Sequence, residues 1–445
     1  MVKFSEKFEN VLMIIAEKVD ENQYLTAIKS AFTIFMPFVI VGSFATLLNA
    51  AIASPKTGLA QWIPSLAGTK SAFTALNFAT MSFMTIPIIF LIAFHLAKHY
   101  KMPEYIAGLL AVAGYVSIVP AVVTVKIDEV TGTAAGIPAA ALGAQGLFVG
   151  MILSVIIVEL FRGLMKVSFL KIKMHESVPT AIATSFNTLL PILITLCATS
   201  IFGNSFHNAT GLYINEYIYS IIQAPLEAIF QSPAGILSIV IFSQLFWFMG
   251  IHGGLVISPI RNPFIAAAVA ANVAAVAAGQ VPNQPVTYGF WMNFIVPGGA
   301  GMVLSLIIAI FIFSKRDDHK MIAKLGFLPG LFNISEPVVF GLPLVLNPTF
   351  AIPFIFNSGI SCAIALFATK IGFLPCNTID VPFGVPILIG PFIGHGWQGV
   401  VVQLIGIVVC IFTWAPFVLI SNKEAKKEKM EKEKLESMEG KVETI

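Results

Sequence analysis

The chain has 445 residues, of which 57% are hydrophobic and only 11% are charged, with a formal net charge of +3. A water-soluble domain carries about twice that charged fraction, so a mean hydropathy of +0.87 excludes one. Apolar runs that are long and continuous exclude the two-residue alternation of a transmembrane barrel. What remains is an all-α polytopic membrane protein.

Residues 1–30 interleave Lys3, Glu6, Lys7, Glu9, Glu17, Lys18, Asp20, Glu21 and Lys29 with apolar residues. This is the pattern of an amphipathic interfacial segment and not of a signal peptide. A hydrocarbon core of about 30 Å takes about 20 helical residues, and spans are expected at 31–53, 72–97, 105–125, 140–161 and 180–203. The stretch 211–231 holds Tyr213, Glu216, Tyr217, Tyr219 and Glu227 and reads as an amphipathic connector. Further spans follow at 233–249, 264–280, 289–314, 350–369 and 398–420, giving about ten transmembrane helices. Two apolar stretches, 327–347 and 381–397, are interrupted by Pro329, Pro337 and Pro343 and by Pro382, Pro386 and Pro391. Proline removes a helical hydrogen bond, so these are expected as broken helices or re-entrant hairpins, the usual material of transporter binding sites. The expected organisation is an interfacial segment 1–30, an amino-terminal half 31–205 acting as dimer scaffold, a connector 206–232, a carboxyl-terminal transport half 233–421, and a charged tail 422–445 that is either helical or disordered. With both termini in the cytoplasm, 21 of the 26 basic residues fall inside, against Lys56, Lys70, Lys126 and Lys370 outside and Arg261 unassigned.

Between Leu325 and Thr369 the only formal charge is Glu336, in Asn333-Ile334-Ser335-Glu336-Pro337. A carboxylate at membrane depth costs about 2.5–3.5 kcal/mol on insertion scales and marks functional sites by default, the plainer reading being an ion pair between helices. With Asn333 and Ser335 it offers an amide, a hydroxyl and an acid to a polyhydroxylated ligand. A second constellation is Trp247-Phe248-Met249-Gly250-Ile251-His252-Gly253-Gly254. An isolated histidine on an apolar background usually serves packing, but the glycines and aromatics around His252 point to a ligand site, with Trp247 either stacking on a sugar ring or anchoring the interface. A third, Gly394-His395-Gly396-Trp397, reads equally as pocket wall or as loop. Arg261 suits a phosphate-bearing product, a pairing with Glu336, or a snorkelling loop; Asp380 reads as a loop residue. Cys197, Cys362, Cys376 and Cys410 show no CxxC or Cys/His spacing and read as ordinary buried thiols, so no metal site is expected. The absence of GxxxxGK[ST] excludes an intrinsic ATP-driven pump.

Gly250-Ile251-His252-Gly253 followed downstream by Asn333-Ile334-Ser335-Glu336-Pro337 resembles the membrane (EIIC) component of the bacterial phosphoenolpyruvate-dependent sugar phosphotransferase system. The branch is the lactose/cellobiose/diacetylchitobiose one, and among its members the chain most resembles the diacetylchitobiose/cellobiose permeases. The resemblance covers essentially the whole chain. It implies a homodimer in the bacterial cytoplasmic membrane that carries a β-linked disaccharide inward and presents its 6-OH to a phosphocysteine on a cytoplasmic EIIB partner. None of the four cysteines lies in a soluble domain, so EIIB and EIIA are expected on separate chains; no cofactor and no nucleic acid is implied. Glu336 and His252 match the motif positions and are the expected catalytic and sugar-binding pair, with Asn333, Ser335, Trp247, Gly253, His395 and Trp397 as surrounding substrate contacts. A proton-coupled secondary transporter releasing unmodified sugar is the competing reading; a channel or structural protein leaves the cost of Glu336 unexplained.

Overall fold

The computed structural model describes residues 13–14, 17–19, 21–55, 58–127, 130–170, 172 and 179–442. Inside a bilayer the backbone has no water to bind, so apolar runs satisfy their N–H and C=O groups within helices. Among the described residues eight helices are long and apolar enough to cross a membrane: Gln23–Ala53, Pro64–His99, Ala144–Lys166, Ala183–Thr210, Ser258–Ala277, Tyr288–Phe313, Ala351–Lys370 and Ile389–Lys427. The remaining two expected spans take other forms. Glu104–Val116 is apolar but has 13 residues, and Ile214–Gln231 meets Pro233–Phe248 at a bend of 74°.

In the amino-terminal half, α1 (Gln23–Leu48) opens at Asn22, whose Oδ1 accepts from the N–H groups of Tyr24 and Leu25, both at 3.0 Å. This cap corrects the expected boundary: residues 23–30 belong to the first span, because the chain meets a capping side chain before it meets the end of its charges. Most of the rest of the proposed interfacial segment lies outside the described residues. Helices α2 (Lys70–Asn77), α3 (Thr85–His99) and α4 (Glu104–Val116) follow. The expected span 105–125 stops at Val116, and β1 (Val122–Ile127) pairs antiparallel with β2 (Val130–Ala135), Val122 opposite Ala135 and Ile127 opposite Val130. Helices α5 (Ala144–Lys166) and α6 (Thr180–Thr210) complete this half. One acid fastens its charged end: Glu159 accepts the hydroxyls of Tyr24, at 3.2 Å, and of Tyr100, while Arg162 bridges to it at 3.3 Å and lies 3.7 Å over the Tyr100 ring. By contrast α6 leaves Leu189, Leu193, Ile201 and Phe202 exposed, as a lipid-facing or partner-facing helix must.

The carboxyl-terminal half runs through α7 (Ile214–Gln231), α8 (Pro233–Phe248), α9 (Gly253–Val256), α10 (Ser258–Ala277), α11 (Val303–Phe313), α12 (Asp317–Leu331), α13 (Glu336–Gly341), α14 (Ala351–Lys370) and α15 (Ile389–Val442). Both proline-rich stretches are broken as expected. The first stops α12 at Leu331 and leaves α13 only six residues. The second is non-helical before Ile389 and interrupts α15 at Gly396, with φ 70°. The breaks meet, since the Ile387 N–H donates to the Leu331 carbonyl at 2.9 Å. The tail continues α15 as helix to Val442. Where α15 leaves the apolar region, Asn422 donates to the Phe313 carbonyl at 3.0 Å and accepts from the Lys315 N–H at 2.9 Å, and Thr349 donates to Glu424 at 3.0 Å. Both ends of the segment carrying α12 and α13 are therefore tied to one helix.

The buried side chains fall into separate clusters. Phe32, Ile88, Ile92, Tyr115 and Phe161 form the core of the amino-terminal half, which Val269 and Val273 of α10 join. Ile307, Val338, Phe354 and Trp414 centre a second cluster, and Ile236, Phe290, Phe294 and Leu374 a third. Helix α10 thus packs against the amino-terminal half through Ala266, Val269 and Val273 while its neighbours build the carboxyl-terminal half.

Candidate functional site

The loop Val296-Pro297-Gly298-Gly299-Ala300-Gly301 interrupts the crossing Tyr288–Phe313 and leaves backbone N–H groups without helical partners. Three buried or half-buried side chains supply them. Asn333 Oδ1 accepts from the Gly298 N–H at 2.9 Å, Ser335 Oγ from the Ala300 N–H at 3.1 Å, and Gln244 Oε1 from the Gly301 N–H at 2.9 Å. Gly299 (φ 94°) lies so close to Ser335 that a Cβ there would overlap the serine side chain. Asn333 itself has φ 64°, a left-handed conformation that asparagine tolerates, and it turns the chain from α12 into α13. Two of the residues expected to contact substrate thus spend their polar atoms on the protein's own loop, which fixes the position of their neighbour Glu336.

Glu336 is the first residue of α13, with Pro337 next, where a missing N–H costs the helix nothing. Its side chain is half-buried, and no described residue forms a hydrogen bond or ion pair with it. The field of its carboxylate reaches the His252 imidazole, as do those of Arg261 and Lys29. His252 caps α9: Nδ1 accepts from the Leu255 N–H at 3.2 Å. A neutral ring with Nδ1 accepting carries its proton on Nε2, so the far edge of the imidazole is a donor. The Trp247 indole, buried, packs 4.2 Å from the His252 ring. Gly253 explains its own place in the motif, since a Cβ there would overlap the Ser243 carbonyl of α8; the turn can fold back on its helix only without a side chain. The turn is tied to the Glu336 hairpin by the Leu346 N–H, which donates to the Phe248 carbonyl at 2.8 Å. Arg261 donates to Asn262 Oδ1 from Nε and Nη2, at 3.2 and 3.0 Å, and its guanidinium sits 4.7 Å from the Trp291 ring. It makes no ion pair with Glu336.

His395 and Trp397 part company. His395 is buried, bound through Nδ1 to the Pro375 carbonyl at 2.9 Å and edge-on to Phe294, whereas Trp397 is 59% exposed and packs on Phe373. The break at Gly396 falls between them, with His395 in the interior and Trp397 at the surface. Asp380, read from the sequence as a loop residue, is instead 0% exposed. Its Oδ1 accepts from the Gly289 N–H at 2.7 Å and from Asn377 Nδ2 at 2.9 Å, and Asn377 accepts the hydroxyl of Thr287. Asn272 joins in by donating to the carbonyls of Gln284 and Asn377, at 2.8 and 2.9 Å. This network locks the second broken stretch to the start of the crossing Tyr288–Phe313. The signal in the sequence was the acid itself, in a run with no other charge from Ile371 to Ser421.

The arrangement offers an acceptor, Glu336, and a donor, His252 Nε2–H, beside an aromatic face, all held from behind by bonds that involve no ligand. Residues 29–358 match the family model described as "Phosphotransferase system, EIIC". The chain is 31% identical over 422 residues to the oligo-β-mannoside-specific EIIC component of Bacillus subtilis, covering 94% of each chain. It is 26% identical to the cellobiose-specific EIIC component of Lactococcus lactis, covering 93% of this chain and 97% of the other. The crystal structure of the transporter ChbC, the IIC component of an N,N'-diacetylchitobiose-specific phosphotransferase system, superposes with a TM-score of 0.87 at 30% identity, covering 95% of this chain and 99% of that one. With a fold of this kind, and with a matching family model over most of its length, the chain belongs to the EIIC family of the phosphotransferase system.

Proposed function

We propose that the protein is a permease for a β-linked disaccharide, diacetylchitobiose or cellobiose, and presents the sugar's 6-OH to a phosphocysteine on a separate cytoplasmic EIIB chain. The observation that carries this reading is Glu336: a half-buried carboxylate in a membrane protein with no described hydrogen-bonding partner, whose charge acts on the His252 imidazole. Phosphoryl transfer asks mainly for positioning and for charge stabilisation along the line of attack. Glu336 accepts the hydrogen bond of the attacking hydroxyl and takes its proton as the O–P bond forms and the P–S bond to the EIIB cysteine breaks, leaving that cysteine as its thiolate. His252 Nε2–H holds a neighbouring oxygen of the sugar or of the incoming phosphoryl group, and Trp247 presents a ring face to the apolar side of the sugar. Asn333 and Ser335 act behind Glu336 as positioning residues. The positive-inside distribution supports cytoplasmic termini, and the exposed apolar face of α6 supports a dimer built on the amino-terminal half.

The test is Glu336→Gln in purified protein. Disaccharide binding measured at equilibrium should weaken, and sugar phosphate formed with phospho-EIIB should fall by about 10²-fold or more, the usual scale of general-base loss. Full binding with full phosphorylation in this variant refutes the role; free sugar accumulating under a proton gradient alone supports the coupled-transporter reading instead.

A further inference from the structure

A cavity of about 510 Å³ lies away from Glu336 and His252, between the amino-terminal half and α10. One wall is made by the first residues of α5 and by α7, which contribute Gln145, Tyr219, Gln223 and Glu227; the other is the small-residue face of α10, including Ala271 and Ala274. Gln223 is fully buried. Its Nε2 donates to the Ala144 carbonyl at 2.8 Å and to Glu227 Oε1 at 2.7 Å, which fixes the amide, and its Oε1 has no hydrogen-bond partner among the described residues. The second oxygen of Glu227 is bonded by no described residue either. No Lys, Arg or His lines the cavity among the described residues.

We propose that this cavity is a vestibular saccharide site, which receives neutral sugar before it reaches Glu336. The proposal rests on the permease reading above, which places the amino-terminal end of α5 on the extracytoplasmic side. The volume lies in the range of small-molecule pockets, about 300–1,000 Å³. Sugar hydroxyls are donors for the free oxygen of half-buried Glu227, which Gln223 Nε2 holds in place at 2.7 Å, and the alanine wall accommodates the apolar faces of the rings. A phosphorylated sugar meets a carboxylate and no cation, so the site excludes the product. A metal ion is disfavoured by the single carboxylate, since hard cations take six or more oxygens.

The experiment uses the full chain in right-side-out vesicles, with Ala271→Cys as reporter and Cys197→Ser and Cys376→Ser removing the more accessible native thiols. Labelling by a membrane-impermeant maleimide is timed with and without cellobiose, diacetylchitobiose or their 6-phosphates, in the Glu336→Gln background. That background removes protection that originates at the deeper site. The expected result is at least a five-fold slowing by neutral disaccharide, none by the phosphates, and loss of the slowing in Gln223→Leu and in Glu227→Gln. Each of these must label at the parental rate without sugar; where one does not, the other decides. An unchanged labelling rate with saturating sugar, as a lipid-filled cavity gives, overturns the proposal, and so does protection that survives both substitutions. The permease reading fails separately, by Glu336→Gln retaining full phosphorylation of the sugar by phospho-EIIB together with full binding.

Discussion

Asn333 gives the sharpest test of how the site is built, because its side chain and its backbone make separable contributions. Its Oδ1 is the acceptor for the buried Gly298 N–H at 2.9 Å, and stranding a buried donor costs about 1–3 kcal/mol. Its φ of 64° adds about 1–2 kcal/mol for an ordinary L-residue placed there. Asn333→Ala should therefore destabilise by about 2–5 kcal/mol, the sum of both effects. Asn333→Gly keeps the backbone freedom and should lose only the hydrogen bond, about 1–3 kcal/mol. The assay is thermal unfolding of the purified protein in detergent, followed by intrinsic fluorescence, alongside equilibrium disaccharide binding. The expected order of melting temperatures is parent, then Gly, then Ala, with binding falling in the same order. An Asn333→Ala protein that melts like the parent but has lost its sugar refutes the reasoning, because the amide would then address the ligand and not the loop.

Three further outcomes follow from the geometry. Gly253→Ala drives a Cβ into the Ser243 carbonyl and should cost at least the 1–3 kcal/mol typical of overpacking; an unchanged melting temperature means that the turn does not lie so close to α8. Asp380→Ala strands the Gly289 N–H and removes one of the two acceptors of Asn377 Nδ2, about 1–3 kcal/mol for the stranded donor, whereas Asp380→Asn retains one acceptor oxygen and should be milder; equal melting of the two variants contradicts the network. Outside the membrane, the Arg316 guanidinium 2.6 Å from Asp318 holds that carboxyl down to about 2. A lowered carboxyl stabilises the fold above its unfolded value, about 3.9, and the contribution is lost as pH falls through about 2. The Asp318 side chain is 59% exposed, so solvent screening limits the pair to about 0–1 kcal/mol. The melting gap between parent and Asp318→Asn should be small and constant above about pH 5 and should close between about pH 4 and pH 2; a gap that widens in acid contradicts the pairing.

The spans were legible in the sequence because a bilayer leaves an apolar run little choice but helix. Glu336 and His252 stand out in the sequence for the converse reason, since a charge or an imidazole on such a background requires a local cause. The hairpin after α4 was missed although Val-Val-Thr-Val-Lys-Ile alternates at 122–127; the apolar content of that run outweighed its period. Asn333 and Ser335 were assigned to a ligand because membrane-depth polar groups invite that reading. What one sequence hides is that a broken helix 35 residues away leaves donors in need of those same atoms. Asp380 was missed in the same way, as its partners Thr287 and Gly289 lie in another segment and only the fold brings them together.

The ties at the end of α15 carry a mechanical consequence. Asn422 grips the chain just before α12, and Glu424 grips it just before α14, so the strip bearing Glu336 is clamped at both margins like a spring leaf held in one vice. A leaf held so has few ways to flex alone: torque on the vice reaches its middle. Whatever takes hold of the charged helix beyond Glu424 has a handle on the Glu336 carboxylate.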